Sequence, residues 1–142
     1  MKLHRKRKIY LKEMNMKMIK DILMYLWQLP QNILGLILRS IYKGNDTCYK
    51  DVIIRRSLNM RGGISLGKYV IVSQFSKEKT IMHEYGHCIQ SKYLGWLYLP
   101  VVGIQSFIWS CLYGPVVKRT KNGYFKFWTE AWADKLGNVT RQ

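Results

Sequence analysis

Two long stretches of this chain carry no charge, and the remainder alternates between basic and β-branched segments. From Ile22 to Leu38 there are 17 uncharged residues, interrupted by Gln28-Leu29-Pro30-Gln31-Asn32 and closed by Arg39. A helix that crosses a bilayer needs about 20 apolar residues, so this stretch is short for a straight span. Pro30 suits the first turn of a helix. The pattern therefore predicts two half-length helices, in or at a membrane interface. The second stretch, Tyr93 to Val117, has 25 residues without a charge. As one helix it would extend about 37 Å, but Pro100, Gly103, Gly114 and Pro115 break it into shorter pieces that turn back.

The segments between have a different rhythm. Residues 43–51 are rich in turn formers, with Gly44, Asn45 and Asp46 together, and read as a loop. Val52-Ile-Ile-Arg-Arg and Tyr69-Val-Ile-Val-Ser are β-branched and lie on either side of Gly62-Gly63, which predicts a short antiparallel pair. Helices are expected over Thr80 to Lys92 and over Tyr124 to Leu136, the latter ended by Gly137 at its C-cap. The fold class is thus α+β and mainly helical, with apolar hairpins at residues 22–42 and 93–117. A length of 142 residues fits one domain, here 21–142, preceded by an arm at 1–20.

Charge adds a partner to this picture. The chain holds 24 Lys and Arg against 8 Asp and Glu, a formal net charge of +16, although 48% of it is hydrophobic. Eight of the basic residues fall within positions 1–20, beside the single acid Glu13. Such an excess favours a polyanion, either nucleic acid or the anionic headgroups of a cytoplasmic leaflet. No nucleic-acid-binding motif accompanies the charge and the longest segment is apolar, so anionic lipid is the expected partner and nucleic acid is not. Cys48, Cys88 and Cys111 cannot all pair and contain no Cys-x-x-Cys spacing, which argues against both a disulfide framework and a thiolate metal site. The apolar stretch after the basic start lacks a small-residue cleavage site and does not read as a secretory signal.

The candidate chemistry lies in His83-Glu84-Tyr85-Gly86-His87. Residues four apart share a helix face, so the two imidazoles point at one spot, as two ligands of tetrahedral zinc require. Glu84 projects beside them and can take a proton from a metal-bound water. His4 lies in the basic arm, so the third ligand must be a carboxylate, and the only acids after Glu84 are Glu130 and Asp134. They are spaced so that Glu130 reaches the metal while Asp134 accepts a hydrogen bond from the far nitrogen of a ligand histidine. Gly86 costs about 1 kcal/mol relative to Ala inside a helix, which points to another backbone close by or to simple tolerance. Cys88 points about 100° away around the helix and reads as a packed residue. Trp128 and Trp132 read as core in preference to interfacial anchors.

His-Glu-x-x-His followed by Glu130-x-x-Ala133-Asp134 resembles the gluzincin type of zinc metallopeptidase, and most closely the membrane-bound CAAX prenyl endopeptidase and heat-shock HtpX-like group. The resemblance spans roughly residues 69–137. It implies a zincin-like metal helix, Zn2+ held by His83, His87 and Glu130, Glu84 as general base, Asp134 behind the ligands, and hydrolysis of a peptide or protein substrate. It also implies a strand ahead of the metal helix that pairs with the extended substrate, for which Gly67 to Ser73 is the candidate. The extra histidine that steadies the transition state in thermolysin-like enzymes has no counterpart; Tyr124, Tyr113 and Arg61 are the alternatives. The basic clusters on both sides of residues 93–117 predict a membrane-associated protein whose metal site and both ends face the cytoplasm. A competing expectation is a non-catalytic basic protein, binding membrane or nucleic acid, with a structural zinc.

Overall fold

A computed structural model describes residues 2–141, with side chains described from Arg5 onward; the calls on Met1, on the His4 side chain and on Gln142 lie outside the described residues. The fold is α+β and mainly helical. Helix α1 (Lys2–Trp27) meets α2 (Leu29–Ile41) at Gln28, with Pro30 in the first turn of α2, where its missing N–H costs no hydrogen bond. The basic arm at 1–20 is thus not separate in its secondary structure, because α1 continues through it to Trp27.

A four-stranded sheet follows, made of β1 (Asn45–Tyr49), β2 (Val52–Ser57), β3 (Gly63–Leu66) and β4 (Tyr69–Ser73) in the order β1-β2-β4-β3. This corrects two expectations. Residues 45–49 form an antiparallel hairpin with β2 and are not loop. The two β-branched segments do lie side by side, but β2 and β4 run parallel. The reason is that β3, which is too short to stand out in the sequence, pairs antiparallel with β4 through the Gly67-Lys68 turn and reverses the direction in which β4 enters the sheet. Turn formers at 44–46 gave way to the cross-strand pairing of Thr47 and Cys48 with Ile54 and Ile53, a tertiary override of local composition.

Strand β4 is buried on both faces, with Val70, Ile71 and Val72 at most 1% exposed, and therefore reads as a continuous apolar run where half-buried strands alternate. On one face Val52, Ile54, Val70 and Val72 pack with Ile81 and Cys88 of α3 (Glu78–Leu94), which confirms Cys88 as a packed residue. On the other face lies α2, approaching so closely that a Cβ on Gly35 would stand 2.7 Å from the Leu66 carbonyl oxygen. The end of α2 is pinned to the first hairpin by Asp46, whose carboxylate accepts from Arg39 and from Arg55 Nε at 2.7 Å. Hydrogen bonds from Arg55 and then Arg39 hold the Asp46 carboxyl at about 2, below its ordinary 3.8. This pairing contributes stability that is complete above pH 4 and is lost as pH falls from about 4 towards 2. Solvent screening at this half-exposed site limits it to about 1 kcal/mol. Asp46→Asn is expected to lower stability by that amount at pH 7 and to have no effect near pH 2, measured by urea unfolding at both values.

After α3 the chain passes through a short turn of helix (Gly95–Leu97), a wide turn (Leu99–Gly103) that includes Pro100, and α4 (Ile104–Leu112). Among the described residues no helix is long and apolar enough to cross a membrane. The expected hairpin at 22–42 is the end of α1 followed by α2, and that at 93–117 is the end of α3, the two turns and α4. The last helix is α5 (Trp128–Gly137), which packs against α3. It stops one residue later than expected: Gly137 is still helical, and Asn138 takes the left-handed cap at φ +58°. Gly137 has a different task, since a Cβ there would lie 2.1 Å from the Met82 carbonyl oxygen of α3. Trp128 and Trp132 stack on each other at 6.4 Å, and Trp128 is exposed, so they do not form the core.

Candidate metal centre

The site is assembled at the contact of α3 with α5, where small residues remove the usual spacing between helices. A Cβ on Gly86 would fall 1.9 Å from the Ala133 carbonyl oxygen, so the glycine in the metal motif marks a close backbone approach. With Gly86 and Gly137 at the contact, side chains one turn along each helix meet directly. His83 and His87 of α3 and Glu130 of α5 form one buried group whose ligand atoms lie within 4.8 Å of one another. Glu130 Oε2 stands 3.1 Å from His83 Nε2 and 3.4 Å from His87 Nε2.

The far side of each imidazole determines what its near side presents. Asp134 Oδ1 lies 2.7 Å from His83 Nδ1, and a carboxylate can only accept, so Nδ1 carries the proton and Nε2 offers a lone pair. Gln90 Oε1 lies 2.7 Å from His87 Nδ1, while the Gln90 amide nitrogen donates to the Thr129 carbonyl at 2.8 Å and so fixes which end of the amide faces the ring. His87 Nε2 is therefore also an acceptor in the neutral ring. Two imidazole lone pairs and a carboxylate oxygen then converge in a space where His83, His87 and Glu130 are each at most 6% exposed. Three acceptors in such confinement repel one another unless a cation lies among them. The donor set fits a divalent metal with nitrogen and oxygen ligands.

The electrostatics agree. Burial opposes charge on His87, but the hydrogen bond and charge of Glu130 outweigh it and raise its pKa. Burial would raise the Glu130 carboxyl, yet the contacts with His83 and His87 hold it well below the usual carboxylate range. The pocket thus favours positive charge at its centre.

Behind Asp134 stands a further layer. Arg141 donates to both Asp134 oxygens, at 2.8 Å from Nη2 and 2.5 Å from Nε. Its guanidinium covers the ring of Phe125, whose opposite contact is the His83 ring at 5.2 Å. Because Asp134 sets the tautomer of a ligand and is not itself in the ligand group, Asp134→Ala is expected to weaken zinc affinity by about 10- to 100-fold without abolishing it. Competition against a chromophoric chelator measures this, and an unchanged affinity would show that the Asp134 contact is incidental.

Glu84 lies outside the ligand group. Its carboxylate rests against the edge strand β3, where Ser65 Oγ donates to Glu84 Oε2 at 2.6 Å and a Cβ on Gly63 would overlap Glu84 Oε1. Of the three alternatives for transition-state stabilisation, Tyr113 is committed to Thr120 by its hydroxyl, and Arg61 is exposed on the loop before β3. Tyr124 is half-buried near the site: burial, and then the charges of Glu130 and Glu84, push its phenol up. The strand expected to receive a peptide, residues 67–73, cannot do so, because β4 is paired on both sides by β2 and β3. The outer edge of the sheet beside Glu84 belongs to β3, where the Tyr98 hydroxyl donates to the Ser65 carbonyl at 3.1 Å.

Sequence reasoning missed Gln90, Ser65 and Arg141. Gln90 had a signal, since it lies three residues after His87 on the same helix face. Ser65 and Arg141 had none, because only tertiary contact brings a strand and the segment after α5 to these side chains. Comparison with protein families, with curated proteins and with solved structures finds no match to this chain.

Proposed function

We propose that this protein is a zinc-dependent peptidase in which His83, His87 and Glu130 hold the metal and Glu84 is the general base. The observation that carries this reading is the convergence, within 4.8 Å, of ligand atoms of Glu130 on α5 with those of His83 and His87 on α3, the helix that also bears Glu84. A set of three protein ligands leaves a position for water, whereas structural zinc sites are closed by four. Zinc bound there would supply a Lewis acid and a water acidic enough to ionise near neutral pH.

The remaining work falls to the chain's own residues. Glu84 accepts the proton of the attacking water and returns it to the leaving amine. Ser65 holds the Glu84 carboxylate against β3 and keeps it from the metal, so the base and ligand roles stay with different carboxylates. The outer edge of β3 ahead of Ser65, whose carbonyl is taken by the Tyr98 hydroxyl, is where an extended peptide would pair and lie across Glu84. Of the three candidate donors to the oxygen that gains charge, Tyr124 is favoured, since burial and then the charges of Glu130 and Glu84 keep its phenol protonated.

The test is cleavage of a mixture of quenched fluorescent peptides by the zinc-loaded protein. Hydrolysis is expected, together with its loss on chelation and recovery on addition of zinc. A protein that binds about one zinc per chain and cleaves none of the peptides would refute the peptidase reading and leave a structural metal.

A further inference from the structure

Helix α2 is built inside out. Its buried positions are Gln31, Asn32 and Gly35, with Gln28 just before it, while Ile33, Leu34, Leu36, Ile37 and Ile41 are 43% to 63% exposed. A helix on the surface of a water-soluble domain shows the opposite arrangement. The inner polar face is not an accident of placement, because all its side-chain amide groups but Gln31 Oε1 find partners. Gln31 donates to Ser91 Oγ at 2.9 Å and to the Gly95 carbonyl at 2.8 Å, and Ser91 donates to Gln28 Oε1 at 2.8 Å. Asn32 accepts from the Lys68 amide at 2.8 Å and donates to the Tyr25 carbonyl at 3.0 Å. A helix that pairs nearly all of its polar side internally and turns its aliphatic side outward is suited to an apolar surrounding.

The neighbouring elements continue this surface. Trp27 donates its indole N–H to the Lys92 carbonyl and Trp96 donates to the Leu26 carbonyl, both at 3.0 Å, while both rings stay exposed. Their polar atoms make no demand on the surroundings.

Charge identifies what covers this face. Beside Leu36 and Ile37, a shallow recess of about 300 Å³ is lined by Ser40 and by Arg39 and Arg55, two guanidiniums that share the one Asp46 carboxylate and leave a net positive charge. A second, of about 400 Å³, is lined by Met14, Met18 and Ile22 together with Lys17, Lys68 and the single acid Asp21. Apolar recesses with a net positive lining match acyl chains beneath anionic headgroups. A second copy of the chain would bring another +16 of charge to the same face, which opposes self-association. With 13 residues, α2 is about 20 Å long, too short to cross a hydrocarbon core of about 30 Å.

We propose that the outward face of α2, continued by Trp27 and Trp96, lies in the interface of an anionic bilayer, with Lys17 and Lys68 on lipid phosphates. The anionic leaflet is the cytoplasmic one, which places the metal centre on that side. On its inner face α2 grips Ser91, one helical turn after His87, so the metal helix is docked directly on the helix that meets lipid. Joined to the peptidase reading, on which this clause alone rests, the substrate is a peptide segment next to the membrane.

Flotation of the full chain with vesicles tests the proposal without any activity assay. Strong binding is expected to phosphatidylcholine vesicles that contain phosphatidylglycerol, weaker binding to phosphatidylcholine alone. Ile33→Gln combined with Ile37→Gln should weaken partition by about 10- to 100-fold and leave the thermal unfolding midpoint unchanged, since both side chains lie outside the core. Lys17→Gln with Lys68→Gln, the two lysines of the second recess, should reduce the preference for anionic vesicles. Absence of binding to either vesicle overturns the proposal, as does binding indifferent to the Ile33 and Ile37 changes. A dimer in solution that the same double change dissociates would assign the face to a second copy and overturn it too.

Discussion

Glu84→Gln is expected to retain about one zinc per chain and to lose peptide hydrolysis by about 10²- to 10⁴-fold, the range of a positioned general base. Metal retention follows because Glu84 is outside the group formed by His83, His87 and Glu130. The fold is preserved because the Gln side-chain oxygen can still accept from Ser65, as Glu84 Oε2 does at 2.6 Å. Only the capacity to take a proton disappears. The contrast is His83→Ala or His87→Ala, each of which removes one of three ligands and should lose metal and hydrolysis together. Metal content by mass spectrometry, run beside the peptide assay, separates the two classes of variant. Hydrolysis at the original rate in Glu84→Gln would end the assignment of Glu84 as base, whatever the zinc content.

The second large effect concerns a residue with no chemistry of its own. In an exposed helix, Gly→Ala gains up to about 1 kcal/mol; Gly86→Ala should instead lose about 1–3 kcal/mol, the range for overpacking. The new methyl group would sit 1.9 Å from the Ala133 carbonyl oxygen, a backbone atom that cannot rotate away. Helix α5 must then shift as a body, and Glu130 lies three residues before Ala133 on that helix. Zinc affinity is expected to fall by at least about tenfold as the carboxylate leaves its place between the imidazoles. Thermal unfolding and zinc titration check both parts. A higher midpoint with unchanged affinity would mean that α3 and α5 are not in this contact.

What was legible in the sequence was what local geometry controls. The spacing of His83, Glu84 and His87, the acids Glu130 and Asp134 one turn apart, the break near Pro30 and the helix around the metal motif all follow from a 3.6-residue period and from the chemistry of one or two residues. The scarcity of acids added the choice of Glu130, since no other carboxylate followed Glu84 except Asp134. Tertiary structure decided what depends on residues far apart in the chain. The parallel pairing of β2 with β4 was hidden because β3 has four residues and no pattern of its own. The Ser65 contact to Glu84 and the Arg141 contact to Asp134 needed a sheet edge and a returning segment, neither of which has a local signature. Gly86 could be read two ways until the Ala133 carbonyl was found against it. The orientation of α2 was the most hidden of all, since its sequence shows an amphipathic helix but not which side faces in. That choice was made by Ser91, Gly95 and Lys68, which offered hydrogen bonds to Gln31 and Asn32 and so turned the aliphatic side outward.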